Sequence, residues 1–302
     1  MAERSRKQST SESPDPIAER LAVRRTHKLY LGGAFPRSES NRSYAVTSST
    51  GVHLANAARA SRKDVRDAVS SARAAWPGWS GRSAHNRGQI LYRVAELLEG
   101  RRAQFAEELT QATGLGRTRA GQRVSASIDR WVYYAGWTDK IAQVLGSTNP
   151  VSGPFGNVSR PESCGVVGVI APQQDPLLGL VSVLAPVLAA GNTAVVLASE
   201  PAPIPAVSLS EVLATADVPA GVVNILTGHT SELAPPLASH EELDGLDLCG
   251  AGTQTADLAT AAATTLTRIL HPIAGEDFTA DPGLSRIRPF METKTVWQPL
   301  GT

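Results

Sequence analysis

The chain is poor in the residues that carry most metal and redox chemistry. Among 302 residues there are two cysteines, two methionines and six histidines. Cys164 and Cys249 are far apart and lack metal-ligand spacing, and no two histidines stand as a zinc site requires. Both cysteines lie in apolar, strand-like surroundings, ESCGVVGVI and LDLCGAG, and read as small buried hydrophobes rather than a reactive thiol or a disulfide. An excess of one charge is also missing. The net charge of +1 gives no basic surface for nucleic acid. No apolar run approaches the ~20 residues that a membrane span needs. The opening MAERSRKQSTSESPDP lacks the apolar core of a secretory signal. The expected location is cytoplasmic. What is present, 42% hydrophobic residues over this length, is ordinary for a globular protein and enough to bury a substantial core.

Residues 1–26 read as a solvated tail rich in Ser, Arg, Glu and Pro. Its end, Ile17 to Arg25, is either a short amphipathic docking helix or a frayed stretch with its charges in water. HKLYLGGAFPRSESNRSYAV alternates around Gly32-Gly33 as a pair of short strands would. From Ser61 to Trp79, apolar residues recur at helical spacing, with Ser61 as N-cap and Asp64 three positions on. Pro77-Gly78 is expected to stop that helix. A long amphipathic pattern from Ser83 to about Gly114 breaks near Gly100, and a third helix is expected over Ala120 to Leu145.

From Cys164 the rhythm changes. CGVVGVIA, TAVVLAS, GVVNILTG, LDGLDLCG and LTRILHP are short apolar runs separated by helical stretches at Leu177–Ala190, Pro203–Ala216, Thr230–His240 and Thr253–Thr265. Strands alternating with helices at this period make βαβ units and a parallel sheet covered on both faces. Right-handed crossovers then give an α/β, doubly wound, Rossmann-like sheet of about five strands.

These same residues resemble the aldehyde dehydrogenase superfamily. GVVGVIAP, QQDP, LLGLVSVLAPVLAAGNTAVVLASEPAP, GVVNILTG, ASHEELDGLDLCGAG, YYAGWTDKI and LYLGGAFPRSES follow the family's order over Leu29 to Gly275, and Ser285 to Thr302 resembles its C-terminal strand. The resemblance implies a coenzyme-binding domain with a helical N-terminal part at 27–146 and a Rossmann-like core at 163–272. It implies an antiparallel oligomerisation ribbon from 147–162 and 287–302. Residues 273–286 then form a linker where the family has its catalytic domain with the nucleophilic cysteine. NAD or NADP is the implied cofactor, with contacts at Ile170, Pro172, Glu200, Gly228 and Gly250.

No catalytic residue carries over. The family's oxyanion-binding Asn falls on Gln174, one methylene longer, and its coenzyme Lys falls on Leu197. Its general-base Glu falls near Pro272, with Glu276 four residues away. Loss of one oxyanion donor alone reduces turnover by ~10²–10³, and loss of nucleophile or base cripples the reaction. Met291 and Trp297, with Phe290, Thr293 or Glu292, Lys294 and Val296, suggest a terminal strand with an apolar face and an unpaired edge. Such an edge suits a full-length aldehyde dehydrogenase subunit as partner, by strand addition. The expectation is a catalytically inactive, non-catalytic subunit. The alternatives are a self-contained or homodimeric remnant with the ribbon folded onto its own domain, an NAD(P)-dependent oxidoreductase acting on aldehydes, and a dinucleotide-binding sensor.

Overall fold

The computed structural model describes residues 25–301; most of the tail, including the start of the suggested docking helix at Ile17, lies outside the described residues. The N-terminal part holds β1 (Thr26–His27), β2 (Ser43–Thr47) and β3 (His53–Ala58). It continues through α1 (Arg62–Ser80), α2 (Ala84–Gly100), α3 (Arg102–Thr113), α4 (Arg117–Trp137) and α5 (Ile141–Leu145). The expected strand pair around Gly32-Gly33 does not form. Both glycines have positive φ and close a tight turn spanned by the bridge Leu31–Ala34 and by the Leu29 amide on the Pro36 carbonyl, while Tyr30 bridges to Ile225. Instead β2 pairs antiparallel with β3, a strand that the sequence reading did not place.

Two helix ends also differ. Ser61 caps α1 as expected, accepting from Lys63 and Asp64 while the Asp64 carboxylate accepts from the Ser61 backbone, so the capping box is complete. Yet α1 runs through Pro77 to Ser80. A proline so near the end removes a single ladder bond. Beyond it Trp79 is fully buried and its indole donates to the Leu188 carbonyl at 3.2 Å, which holds the last turn in place. The helix expected over Ala120 to Leu145 divides into α4 and α5, because Thr138 turns its hydroxyl back onto the Ala135 carbonyl at 2.9 Å.

The ribbon strands β4 (Ser147–Thr148) and β5 (Phe155–Ser163) lead into β6 (Val166–Ile170), α6 (Leu178–Ala189), β7 (Thr193–Leu197), α7 (Ile204–Thr215) and β8 (Val223–Leu226). Then follow α8 (Thr230–Ala238), β9 (Gly245–Asp247), α9 (Thr255–Ala263), β10 (Arg268–Leu270) and β11 (Met291–Pro299). The central sheet is wholly parallel with order β10-β9-β6-β7-β8. All five runs read from the sequence are its strands. One apolar core lies between the sheet and α6 and α7, backed by α2, α3 and α4; the other lies under α1, α8 and α9. The helix α6 is buried all round, because α2 and α4 cover the side that the sheet does not. The chain order reverses between β6 and β9, the place where doubly wound sheets open a ligand crevice at their carboxyl ends.

β11 pairs antiparallel with β5 along its whole length, from Met291 opposite Ser163 to Pro299 opposite Phe155, and β4 flanks the far side of β5. Phe290 is not part of the strand. It sits in a 3-10 turn (Arg288–Phe290) and is buried in the core. Met291, Thr293, Thr295 and Trp297 share one face of β11, so Val296 points to the other; the two do not form one apolar stripe.

Candidate functional site

All five residues implied as coenzyme contacts stand at the carboxyl edge of the sheet, in two groups. The first is Ile170, Pro172 and Gly250. The Gly250 amide donates to the Ile170 carbonyl at 2.8 Å, tying the loop after β9 onto the end of β6. A Cβ on Gly250 would stand 1.9 Å from the Ala171 carbonyl oxygen. The close approach of two backbones is by itself enough to require a glycine there. Pro172 is buried and fills the space in front of Gly179.

The second group is Glu200 and Gly228. One Glu200 oxygen lies 2.7 Å from His229 Nδ1, and the other accepts from the Thr230 amide at 2.9 Å, at the start of α8. Carboxylate at a helix N-terminus is a favourable arrangement. Gly228 has a φ of +150°, and a Cβ there would crowd the Ala60 amide at 3.2 Å and Leu233. Tyr44 donates to the Glu200 carbonyl at 3.3 Å, and burial, reinforced by the Glu200 charge, raises its phenol pKa.

Gln173 joins the two groups. Its amide donates to the Ala171 carbonyl at 2.7 Å and accepts from the Glu200 backbone at 2.9 Å. Gln174, at the oxyanion position, is exposed instead. Leu197, at the coenzyme-lysine position, is buried in the core with 1% of its surface accessible.

Between β9 and the linker lies a cluster that sequence reasoning missed. Arg286, 3% exposed, donates to Asp247 at 2.6 Å and to Glu276 at 2.6 Å, with a second contact to Glu276. Nη2, which makes that second contact, also donates to Cys249 Sγ at 3.5 Å. Burial pushes the Asp247 carboxyl up to about 6, against the pull of Arg286. Burial, reinforced by Asp247, pushes the Cys249 thiol up to about 12, so it is a thiol rather than a thiolate at neutral pH. Glu276 has both oxygens held by Arg286, and Pro272 is exposed. Nothing local in the sequence announces this cluster, because its members lie on segments with no common period. Cys164, likewise pushed up to about 12 by burial, donates to the Asn192 side chain. Both thiols are free.

A family model described as the aldehyde dehydrogenase family matches residues 35–279. The chain belongs to the aldehyde dehydrogenase family. It is 33% identical over 256 residues to the putative aldehyde dehydrogenase DhaS of Bacillus subtilis (strain 168), covering 83% of this chain and 51% of that protein. It is 33% identical over 238 residues to the human (Homo sapiens) cytosolic 10-formyltetrahydrofolate dehydrogenase, covering 76% of this chain and 26% of the relative. Among solved structures, a putative aldehyde dehydrogenase from Burkholderia cenocepacia superposes with a TM-score of 0.78 at 30% identity, covering 81% of this chain and 50% of that one. An NAD+ complex of the Bacillus cereus aldehyde dehydrogenase gives 0.77 at 26%, covering 82% and 50%. The chain therefore spans about half the length of the first curated relative it matches, or less in the longer ones.

Against the family's dinucleotide, the two groups behave differently. Glu200, with 38% of its side chain accessible, keeps lone pairs that ribose hydroxyls could use. The edge above β9 does not fit the remainder: Arg286 and Glu276 cover Cys249, and the backbones of Ile170 and Gly250 are closed on each other. On that side of the edge the polar groups of Arg286, Glu276, Asp247 and Gly250 are taken up by one another and by the Ile170 carbonyl. Calorimetry with NAD is expected to stay flat to millimolar ligand, whereas a saturable heat at micromolar NAD would show the edge open. Among the described residues no helix is long and apolar enough to cross a membrane.

Proposed function

We propose that this chain is a catalytically inactive member of the aldehyde dehydrogenase family that acts as a non-catalytic subunit, adding its ribbon to a full-length aldehyde dehydrogenase. The observation that carries the reading is the state of β11. It is fully paired on one side to β5 and leaves its other edge open in the sheet order β11-β5-β4. Phe155, Val296, Trp297 and Leu300 remain 41%, 39%, 57% and 57% exposed around that edge, with Phe155 and Trp297 in edge-to-face contact. These positions favour an external partner over a ribbon folded back onto its own domain. An open strand edge flanked by apolar side chains is a site for strand addition or for aggregation. The inactive reading is supported by Leu197 and Pro272 at the family's coenzyme-lysine and general-base positions, and by the ion pairing of Glu276 to Arg286.

Co-expression with a complete aldehyde dehydrogenase, followed by size exclusion, tests the proposal. The two chains are expected to co-elute, and Trp297→Asp, which puts a charge at the apolar tip, is expected to weaken association by about tenfold or more. Separate elution from every catalytic relative of the same cell would end the subunit reading. Production of reduced nicotinamide from aldehyde by the pure chain would restore the oxidoreductase alternative.

A further inference from the structure

Between α4, α6 and the linker 273–286 lies a cavity of about 200 Å³. Arg130, Tyr134 and Ser182 form part of its inner wall, and Ile273, Phe278 and Pro282 give its roof an apolar patch. The three inner residues are 6%, 0% and 3% exposed. Each keeps one buried polar atom without a hydrogen-bond partner among the described residues: Arg130 Nε, Tyr134 Oη and Ser182 Oγ. Buried polar groups are nearly always paired, so three orphans around one cavity call for a ligand.

Charge narrows its chemistry. Arg130 donates through Nη2 to the Phe278 and Ala280 carbonyls, which are neutral acceptors. The nearby ion pairs run between Arg286 and its two carboxylates, and none among the described residues reaches Arg130. One buried guanidinium without a counter-ion, beside two hydroxyls able to donate, matches a single negative charge on an acceptor-only group. Glu276 is offset by Arg286, while Asp277 and Asp281, exposed at the rim, add a screened negative potential that disfavours a second charge.

We propose that this cavity binds a short-chain carboxylate. Its oxygens accept from Arg130, Tyr134 and Ser182, and its hydrocarbon end lies under Ile273, Phe278 and Pro282. Because the roof belongs to the linker, the bound acid fastens the linker to α4 and α6 and stabilises the fold by mass action.

The test is a thermal-shift and calorimetric titration of the full chain with propionate and butyrate, against propionamide and inorganic phosphate at matched ionic strength. A saturable shift with the two acids at millimolar concentration is expected, with none from the amide or phosphate. Tyr134→Phe and Ser182→Ala each remove a hydroxyl that no protein group needs, so both variants are expected to fold. Each is expected to weaken propionate binding about tenfold. Equal responses to acid and amide, a stronger response to phosphate, or no response to any probe overturns the proposal. Unchanged propionate affinity in both variants overturns the assignment of its ligands.

Discussion

Arg286→Met is expected to lower the folding free energy at neutral pH by about 3–5 kcal/mol, the range for removing one partner of a buried ion pair. Its guanidinium compensates two carboxylates at once, and Asp247 beneath it is 1% exposed. Urea unfolding measures the loss, and the effect carries a pH signature. In the folded chain Asp247 titrates at about 6, above its ordinary 3.8. Its protonated form is favoured on folding, so the stability it contributes is complete below about pH 4 and is lost as pH rises through about 6. A rise of that size corresponds to about 3 kcal/mol. Without Arg286 the Asp247 pKa rises further, so the variant's deficit must be smaller at pH 4.5 than at pH 7. A deficit independent of pH, or one below about 1 kcal/mol, the ordinary value of an exposed pair, would show that the cluster is solvated.

Gly250→Ala is expected to be the second severe change. A methyl group 1.9 Å from the Ala171 oxygen and 2.9 Å from the Ile170 oxygen meets backbone, which cannot rotate aside. The loop after β9 must move, breaking the 2.8 Å hydrogen bond between Gly250 and Ile170. Overpacking and the lost bond together predict a loss of about 3 kcal/mol. Gly252→Ala is the control. Its φ is +54°, but nothing lies within 4 Å of the new methyl, so only backbone strain of about 1–2 kcal/mol is expected. If the two variants unfold at the same denaturant concentration, β6 and the loop after β9 are not in close backbone contact.

How much of this was legible in the sequence follows from the range of the forces involved. The five strands and four helices after Cys164 could be read because burial on both sheet faces writes continuous apolar runs into the chain. The family resemblance covered the same stretch and more. β3 escaped because HLANAA has small and polar residues where strand signals expect branched ones, and its pairing with β2 is decided by packing on the domain. Pro77 misled for the same reason: the burial of Trp79 against Leu188 overrides a local helix-stop signal. In the candidate site the end-of-strand positions were readable, since motif order fixes them. Their partners were not. Glu200 meets His229 and Gln173, and Asp247 meets Arg286, across separations that no local pattern encodes. Gln174, at the family's oxyanion position, is exposed, and it is the neighbouring Gln173 whose amide braces the segments after β6 and β7.

β10, where the linker departs, lies against the 3-10 turn Arg288–Phe290, where it returns. Joining two adjacent points depends only weakly on the length of what joins them, about 0.6 kcal/mol for each doubling of a flexible segment. A brief crossing and an entire lobe are therefore near-equivalent insertions at this gateway, and the nucleotide-fold half can exchange one for the other while its own layers stay assembled.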